Sequence, residues 1–314
     1  SSSLTVQGTS TFIGTGASPT ALKVIGNFEN IATSTFNPKV VGTVTTGDAP
    51  HSVYVSGRYA YVVNYNTSSM QIIDVSAPTS PAVVGTVTTG TNPRFVSVSG
   101  RYAYVANTGS DSMQVIDVSN PAAPSVVGTV TTGSQPYSLA VSGRYVYLVN
   151  NGSASMQVIA ISNPRLPTEI GTVTTGTNPR SVVTVGRYVY VVNIGSDSLQ
   201  AIDVSNPASP VVVGSLATGA INPISVAVSG RYAYVLNNFS NSLQVISISN
   251  PASPSLVGTV TTGTSPDFVT ISGRYAYVAS DGSGSYMELI DISTPSSPVV
   301  VGAVTTGSSP NSIY

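Results

Sequence analysis

Residues 52–90 read SVYVSGRYAYVVNYNTSSMQIIDVSAPTSPAVVGTVTTG, and the fold follows from this stretch. It holds four short apolar-alternating runs, each bounded by turn residues. Strand A is Val53–Val55 and ends at a Ser-Gly turn. Strand B is Tyr59–Val63, followed by the loop Asn66–Ser69. Strand C is Met70–Val75, followed by a Pro-rich loop, Ala77–Pro81. Strand D is Val83–Thr88, after which Thr-Gly-Thr-Asn-Pro opens the next unit. The loops are too short for a helix, and no 3.6-residue period is present.

The unit recurs. Gly-Arg-Tyr stands at Gly57, Gly100, Gly143, Gly186, Gly230 and Gly273, every 43 or 44 residues. Gly-Thr-Val-Thr-Thr-Gly, or a close variant, begins at Gly42, Gly85, Gly128, Gly171, Gly214, Gly258 and Gly302. Four antiparallel strands per unit at this period predict an all-β propeller, each unit a blade that buries Val, Ile and Leu against its neighbours. A solenoid of the same strands would leave long unpaired edges. The segments Tyr102–Asn107 and Met113–Pro121 resemble the LVIVD-repeat propellers. The Gly-Thr-Asn-Pro lead-in and the Tyr-Val-x-Asn segment also resemble the YVTN propellers of prokaryotic surface-layer proteins. The resemblance covers about residues 40–314. It implies the fold and a prokaryotic, often cell-surface, setting, and it brings no catalytic residues with it.

The ends do not close the count. Residues 51–306 supply six complete blades. A lone D strand, Val40–Thr46, is left at the front and a lone A strand, Ser312–Tyr314, at the back. The expectation is a seventh blade completed by the termini and an N-terminal β-rich arm, residues 1–39. That arm carries two related segments, with Leu4, Val6 and Phe12 in one and Leu22, Val24, Ile25 and Phe36 in the other. Its L-x-V-x-G and TSTF grammar resembles stalk and fibre repeats of bacterial surface and phage-tail proteins. The arm is too small to bury a core alone. Three readings stand: donation into a neighbour's ring, completion of its own ring, or a linker. Donation, with Ile313 and Tyr314 on the receiving side, generates a head-to-tail homopolymer when the rotation does not close.

Composition narrows the partners. Charged residues are 7% of the 314, and the net charge is −1; an ordinary domain carries about 25% charged residues. A hydroxyl- and amide-rich surface suits a packed assembly or a cell exterior. Eleven Lys and Arg spread over the repeats form no basic patch, which argues against nucleic acid. No run of about 18 apolar residues is present, so no membrane insertion is expected. There is no Cys. The chain begins at Ser1, as a processed product would. An extracellular location follows as an expectation.

Chemistry is sparse. His51 is the sole histidine. No Gly-x-Ser-x-Gly elbow is present, so no enzyme activity and no cofactor are expected. Asp74, Asp117, Asp203 and Asp291 recur at one repeat position and read as turn or hydrogen-bonding devices that the Gly-Arg-Tyr arginines can pair with. Asp111, Asp197 and Asp281 lie in B–C loops without the spacing a hard cation requires, so no metal site is assigned. Tyr59 and Tyr61 form a repeating aromatic pair that packs between blades. One position varies against a constant background, the residue after the Pro that opens each strand A: His51, Arg94, Tyr137, Arg180, Ile224, Asp267 and Asn311. These should ring one mouth of the central channel; such confined diversity fits unconstrained loops or a binding site for a ligand or surface glycan, the alternative to the expected role as an extracellular, self-assembling structural subunit. Asn66, Asn151 and Asn238 head N-glycosylation sequons, all in B–C loops.

Overall fold

The computed structural model describes residues 39–282 and 285–314. These form an all-β, six-bladed propeller of four-stranded antiparallel sheets, each in the order A-B-C-D. In the first blade A is Pro50–Ser56, B is Tyr59–Asn64, C is Ser69–Asp74 and D is Ala82–Thr88. The later blades open at Pro93, Pro136, Pro179, Pro223 and Pro266. Neighbouring A strands touch one another in sequence order and line the channel.

The core lies between blades. Tyr61, Val63, Met70 and Ile72 of blade 1 pack on Val96, Val98, Ala103, Val105 and Ile116 of blade 2. The same layer repeats down the chain. In the first five blades the second tyrosine of strand B sinks into this layer, while the first stays half-buried against its neighbouring arginine. Arg58, for example, lies 5.3 Å from the Tyr59 ring centroid. The left-handed glycine of each Gly-Arg-Tyr, φ +59° at Gly57, makes the tight A–B turn that places this pair.

A polar thread runs through the same layer. Asn64, Asn107, Asn150, Asn193 and Asn237 close their B strands and are fully buried. Each points its amide nitrogen at a glutamine on strand C of its own sheet, as Asn193 does to Gln200 at 3.1 Å.

The expected seventh blade does not form among the described residues. Neither residues 40–46 nor residues 312–314 are in a strand. The reason is geometric: the innermost and outermost strands of a blade stand three spacings apart, about 14 Å, so they cannot pair without two strands between them. Both segments nonetheless take their repeat positions against blade 1. A Cβ on Gly42 would meet the Pro78 carbonyl oxygen at 2.1 Å, just as one on Gly85 would meet that of Pro121 at 2.0 Å. Val44 packs on Ala60, Val62 and Ile73. At the other end, the Val53 amide donates to Ser312 Oγ at 3.3 Å, as Val96 does to Ser52. The arm residues Leu4, Val6, Phe12, Leu22, Val24, Ile25 and Phe36 lie outside the described residues.

Candidate functional site

Each strand A begins with the same device. The residue before the Pro has a left-handed backbone, with φ from 51 to 68° at Ala49, Asn92, Gln135, Asn178, Asn222 and Ser265. In several copies its amide is held by the B–C loop of the preceding blade: Gln135 donates to Asp111 Oδ1 at 2.7 Å and Asn222 to Asp197 Oδ1 at 2.8 Å. These two aspartates therefore brace the next strand. The residue after the Pro is then skipped by the A–B ladder. In blade 1, Pro50 faces Asn64 and Ser52 faces Val63, which leaves His51 unpaired; the same shift recurs in the other five blades. A bulge of this kind re-aims its side chain away from the regular pleat.

Six bulges around a ring therefore point six side chains at one place. His51, Arg94, Tyr137, Arg180, Ile224 and Asp267, joined by Asn311, line a small cavity at the mouth of the channel. The structure thus brings together every residue of the variable ring. It adds residues that the variable position alone did not reveal. Phe95 and Phe268 stand one residue further on, where the other copies carry Ser, and their ring centroids are 6.5 Å apart. They line both the mouth and the apolar lumen beneath it, and so mark the boundary between the two. Tyr65, from the first B–C loop, makes an edge contact with His51 at 4.9 Å.

The electrostatics of the mouth are unusual for so uncharged a chain. The Arg94 guanidinium carbon lies 3.9 Å from the Tyr137 ring centroid, and that of Arg180 lies 4.2 Å from it. Both are cation–π contacts. Among the described residues neither arginine has an ion-pair partner within 4.0 Å. The four ion pairs present are the Gly-Arg-Tyr arginines with Asp74, Asp117, Asp203 and Asp291 at the surface. Burial raises the pKa of Asp267 despite the opposing pull of Arg180 and Arg94, and Asp281 raises it further.

Burial, then Arg94 and Arg180, bring His51 from 6.5 down to about 4. A histidine whose folded pKa lies below its unfolded one refuses a proton that the unfolded chain accepts. Stability is therefore untouched above the ordinary histidine range and falls as pH drops from 6.5 toward 4. Urea unfolding of wild type and His51→Gln across this window should show a smaller acid loss in the variant; identical profiles would exclude the effect.

The sequon asparagines differ in setting. Asn66 is exposed, with its amide nitrogen on Asp48 at 2.8 Å. Asn151 and Asn238 are half-buried and donate to the next blade's Pro179 and Pro266 carbonyls at 3.3 and 2.9 Å. A glycan on either of these would displace an inter-blade hydrogen bond.

The seam between blades 6 and 1 is the second notable place. Tyr277 and Met287 on blade 6 are half-buried, whereas their counterparts in the other five blades, such as Tyr190 and Met156, are buried. With Thr270, Ile271, Ile313 and Tyr314 they line a cleft of about 690 Å³. Tyr314 lies against Tyr54 of blade 1, ring centroids 4.5 Å apart.

The chain belongs to the LVIVD repeat family, whose repeat matches residues 46–89, 92–132, 135–175, 177–218, 223–262 and 265–306. No curated protein matches it. Solved structures share the fold at low identity. A protein from Lactobacillus plantarum superposes with a TM-score of 0.78 at 17% identity, over 86% of this chain and 89% of that one. The Pseudomonas aeruginosa periplasmic gluconolactonase PpgL gives 0.74 at 20% identity, over 85% and 88%. A functionally unknown protein from Desulfotomaculum acetoxidans gives 0.71 at 14%, over 80% and 81%.

Proposed function

We propose that this chain is a binding propeller of a prokaryotic cell surface, without catalytic activity, that holds its ligand at the mouth of the channel. The observation that carries the reading is the bulge ring: a constant backbone device aims six side chains of five kinds into one cavity, joined there by Asn311, while the rest of the repeat hardly changes. A scaffold that varies only where side chains converge is built for recognition. The titratable groups at the mouth are a histidine held neutral and an isolated aspartate. They do not form the paired acid and base that hydrolysis of a lactone or ester uses. The gluconolactonase likeness, at 20% identity, bears on fold alone. The test is a thermal-shift screen with a metabolite library and a glycan array, with wild type beside Tyr137→Ala. Hits lost in a folded Tyr137→Ala protein support the reading; hits that survive it, or none at all, refute it.

The seam favours a second reading, compatible with the first. Blade 6 presents an apolar sheet face where every other blade is covered, and the inner and outer segments of a seventh position flank the gap. We propose that two β segments fill it and that residues 1–39 of a neighbouring molecule supply them, which joins subunits head to tail through Ile313 and Tyr314. Low net charge leaves little repulsion against such packing. Negative-stain microscopy should show regular filaments for the full chain and single particles after deletion of residues 1–39. Filaments that persist after the deletion exclude the donor role.

A further inference from the structure

The mouth of the channel carries a charge imbalance that nothing among the described residues corrects. Arg94 and Arg180 face it with no carboxylate in ion-pair range, and Arg94 Nε is buried with no hydrogen-bond partner. A buried donor left without an acceptor is costly, the more so on a charged group. Two more donors wait beside it. The Tyr137 hydroxyl and Ser138 Oγ are both buried without a partner. The Tyr137 hydroxyl feels the Arg94 charge but makes no hydrogen bond of normal geometry with it. The other copies show that this is particular to the site. Ser52, Ser181, Ser225 and Ser312, at the repeat position of Ser138, each accept a hydrogen bond from the next blade's amide.

The negative groups present do not balance the pair. Among the described residues Asp267 is the one carboxylate lining the cavity, and burial biases it toward its neutral form, which removes charge and supplies a donor. Asp281 stands outside at an exposed B–C loop position. His51 contributes no positive charge at neutral pH.

Size and shape restrict what could fit. The cavity holds about 50 Å³, the room of roughly three to five waters. A sugar ring does not fit; a carboxylate, phosphate or sulfate group does. Both guanidinium carbons lie against the Tyr137 ring and both side chains line the one cavity, so two positive charges face the same small space, where charge-assisted hydrogen bonds hold an oxyanion. Phe95 and Phe268 form its apolar floor, between the cavity and the lumen beneath.

We infer that the channel mouth binds an oxyanion, the carboxylate, phosphate or sulfate end of a ligand whose body stays outside. Arg94 and Arg180 clamp it, and the Tyr137 hydroxyl and Ser138 Oγ complete the donor set. The inference rests on the binding reading above and names its ligand class. It narrows the ligand or surface glycan to one that carries an acidic group, alone or on a sugar.

The single histidine makes the test clean, since His51 lines the cavity and gives one set of imidazole signals in a proton NMR spectrum. The full chain is titrated by calorimetry and NMR with sodium acetate, inorganic phosphate, sodium sulfate, glucuronate and glucose. Saturable binding of an oxyanion with a shift of the His51 signals is expected, weakened roughly 10- to 100-fold in Arg180→Gln and in Arg94→Gln. The milder Tyr137→Phe variant keeps the ring and serves if either arginine variant fails to fold. The acetate and glucuronate arms against the phosphate and sulfate arms separate planar from tetrahedral groups. Binding of glucose with no oxyanion response overturns the inference and leaves the binding reading standing. Oxyanion binding indifferent to all three substitutions overturns the inference as well. No binding of any probe overturns the oxyanion assignment, while hits in the wider screen that are lost in Tyr137→Ala keep the binding reading.

Discussion

Gly85→Ala should lower stability by about 3 kcal/mol, far more than one methyl group ordinarily costs. Gly85 sits on the outer strand of blade 1, and a Cβ there would lie 2.0 Å from the Pro121 carbonyl oxygen and 3.1 Å from the ring of Pro124. Ordinary carbon–oxygen contact begins more than 1 Å further out. The obstacle is backbone, and it is braced: the Ala123 amide bonds the Asn120 carbonyl at 3.0 Å, and the Ala122 amide bonds Asn120 Oδ1 at 3.2 Å. The loop cannot fold aside, so the blades must separate, and the core layer between them opens with them. Thermal unfolding should show a drop of roughly 6–12 °C. Gly307→Ala is the control, because a Cβ there meets nothing within 4 Å. Equal melting temperatures for the two variants would show that the inter-blade contact at Gly85 yields without cost. The same approach recurs at Gly128, Gly171, Gly214 and Gly258. This is the physical reason the second sequence anchor begins with glycine in the six copies from Gly42 to Gly258.

That anchor shows what the sequence made legible. Strand boundaries, blade order and the inter-blade tyrosines could be read because each depends on local pattern repeated six times, so that every copy checks the others. The ring of variable residues was legible for the same reason, since divergence stands out against a constant background. Why the ring converges was not legible. The skipped ladder position after each Pro is a property of strand pairing, and it needs the partner strand in place. The Arg94–Tyr137–Arg180 cluster joins three blades, and residues 43 apart in sequence reveal no distance between their ends. Phe95 and Phe268 could have been found, because they interrupt a column of serines at the next repeat position. Among the described residues the seventh blade is not formed: matching segments at both ends mark its inner and outer positions, and the pattern carries no strands between them for either to pair with.

Gln200→Leu should cost about as much as Gly85→Ala, for the opposite reason. Nothing clashes; two donors lose their acceptor. Gln200 Oε1 takes hydrogen bonds from the Gly176 amide at 2.8 Å and from Asn193 Nδ2 at 3.1 Å. Asn193 is fully buried, so no water replaces the acceptor. Losing both bonds, with Asn193 Nδ2 keeping only Ser198 Oγ at 3.2 Å, costs about 3 kcal/mol, read as the loss in urea-unfolding free energy. Gln200→Glu keeps an acceptor and should lose less. Blade 6 already carries that residue: Glu288 accepts from the Gly263 amide at 2.9 Å, and Ser280 stands where the other blades have asparagine. Burial raises the Glu288 pKa against the pull of that amide. A carboxyl group whose folded pKa is raised costs stability above that pKa and none once both states are protonated. The deficit of Gln200→Glu should therefore be largest at neutral pH and shrink as pH falls through the carboxylate range. Glu288→Gln should show the mirror image, a gain at neutral pH that disappears on acidification. A Gln200→Leu protein as stable as wild type would mean that the polar thread between the blades is dispensable, and that the buried asparagines are held by their serine neighbours alone.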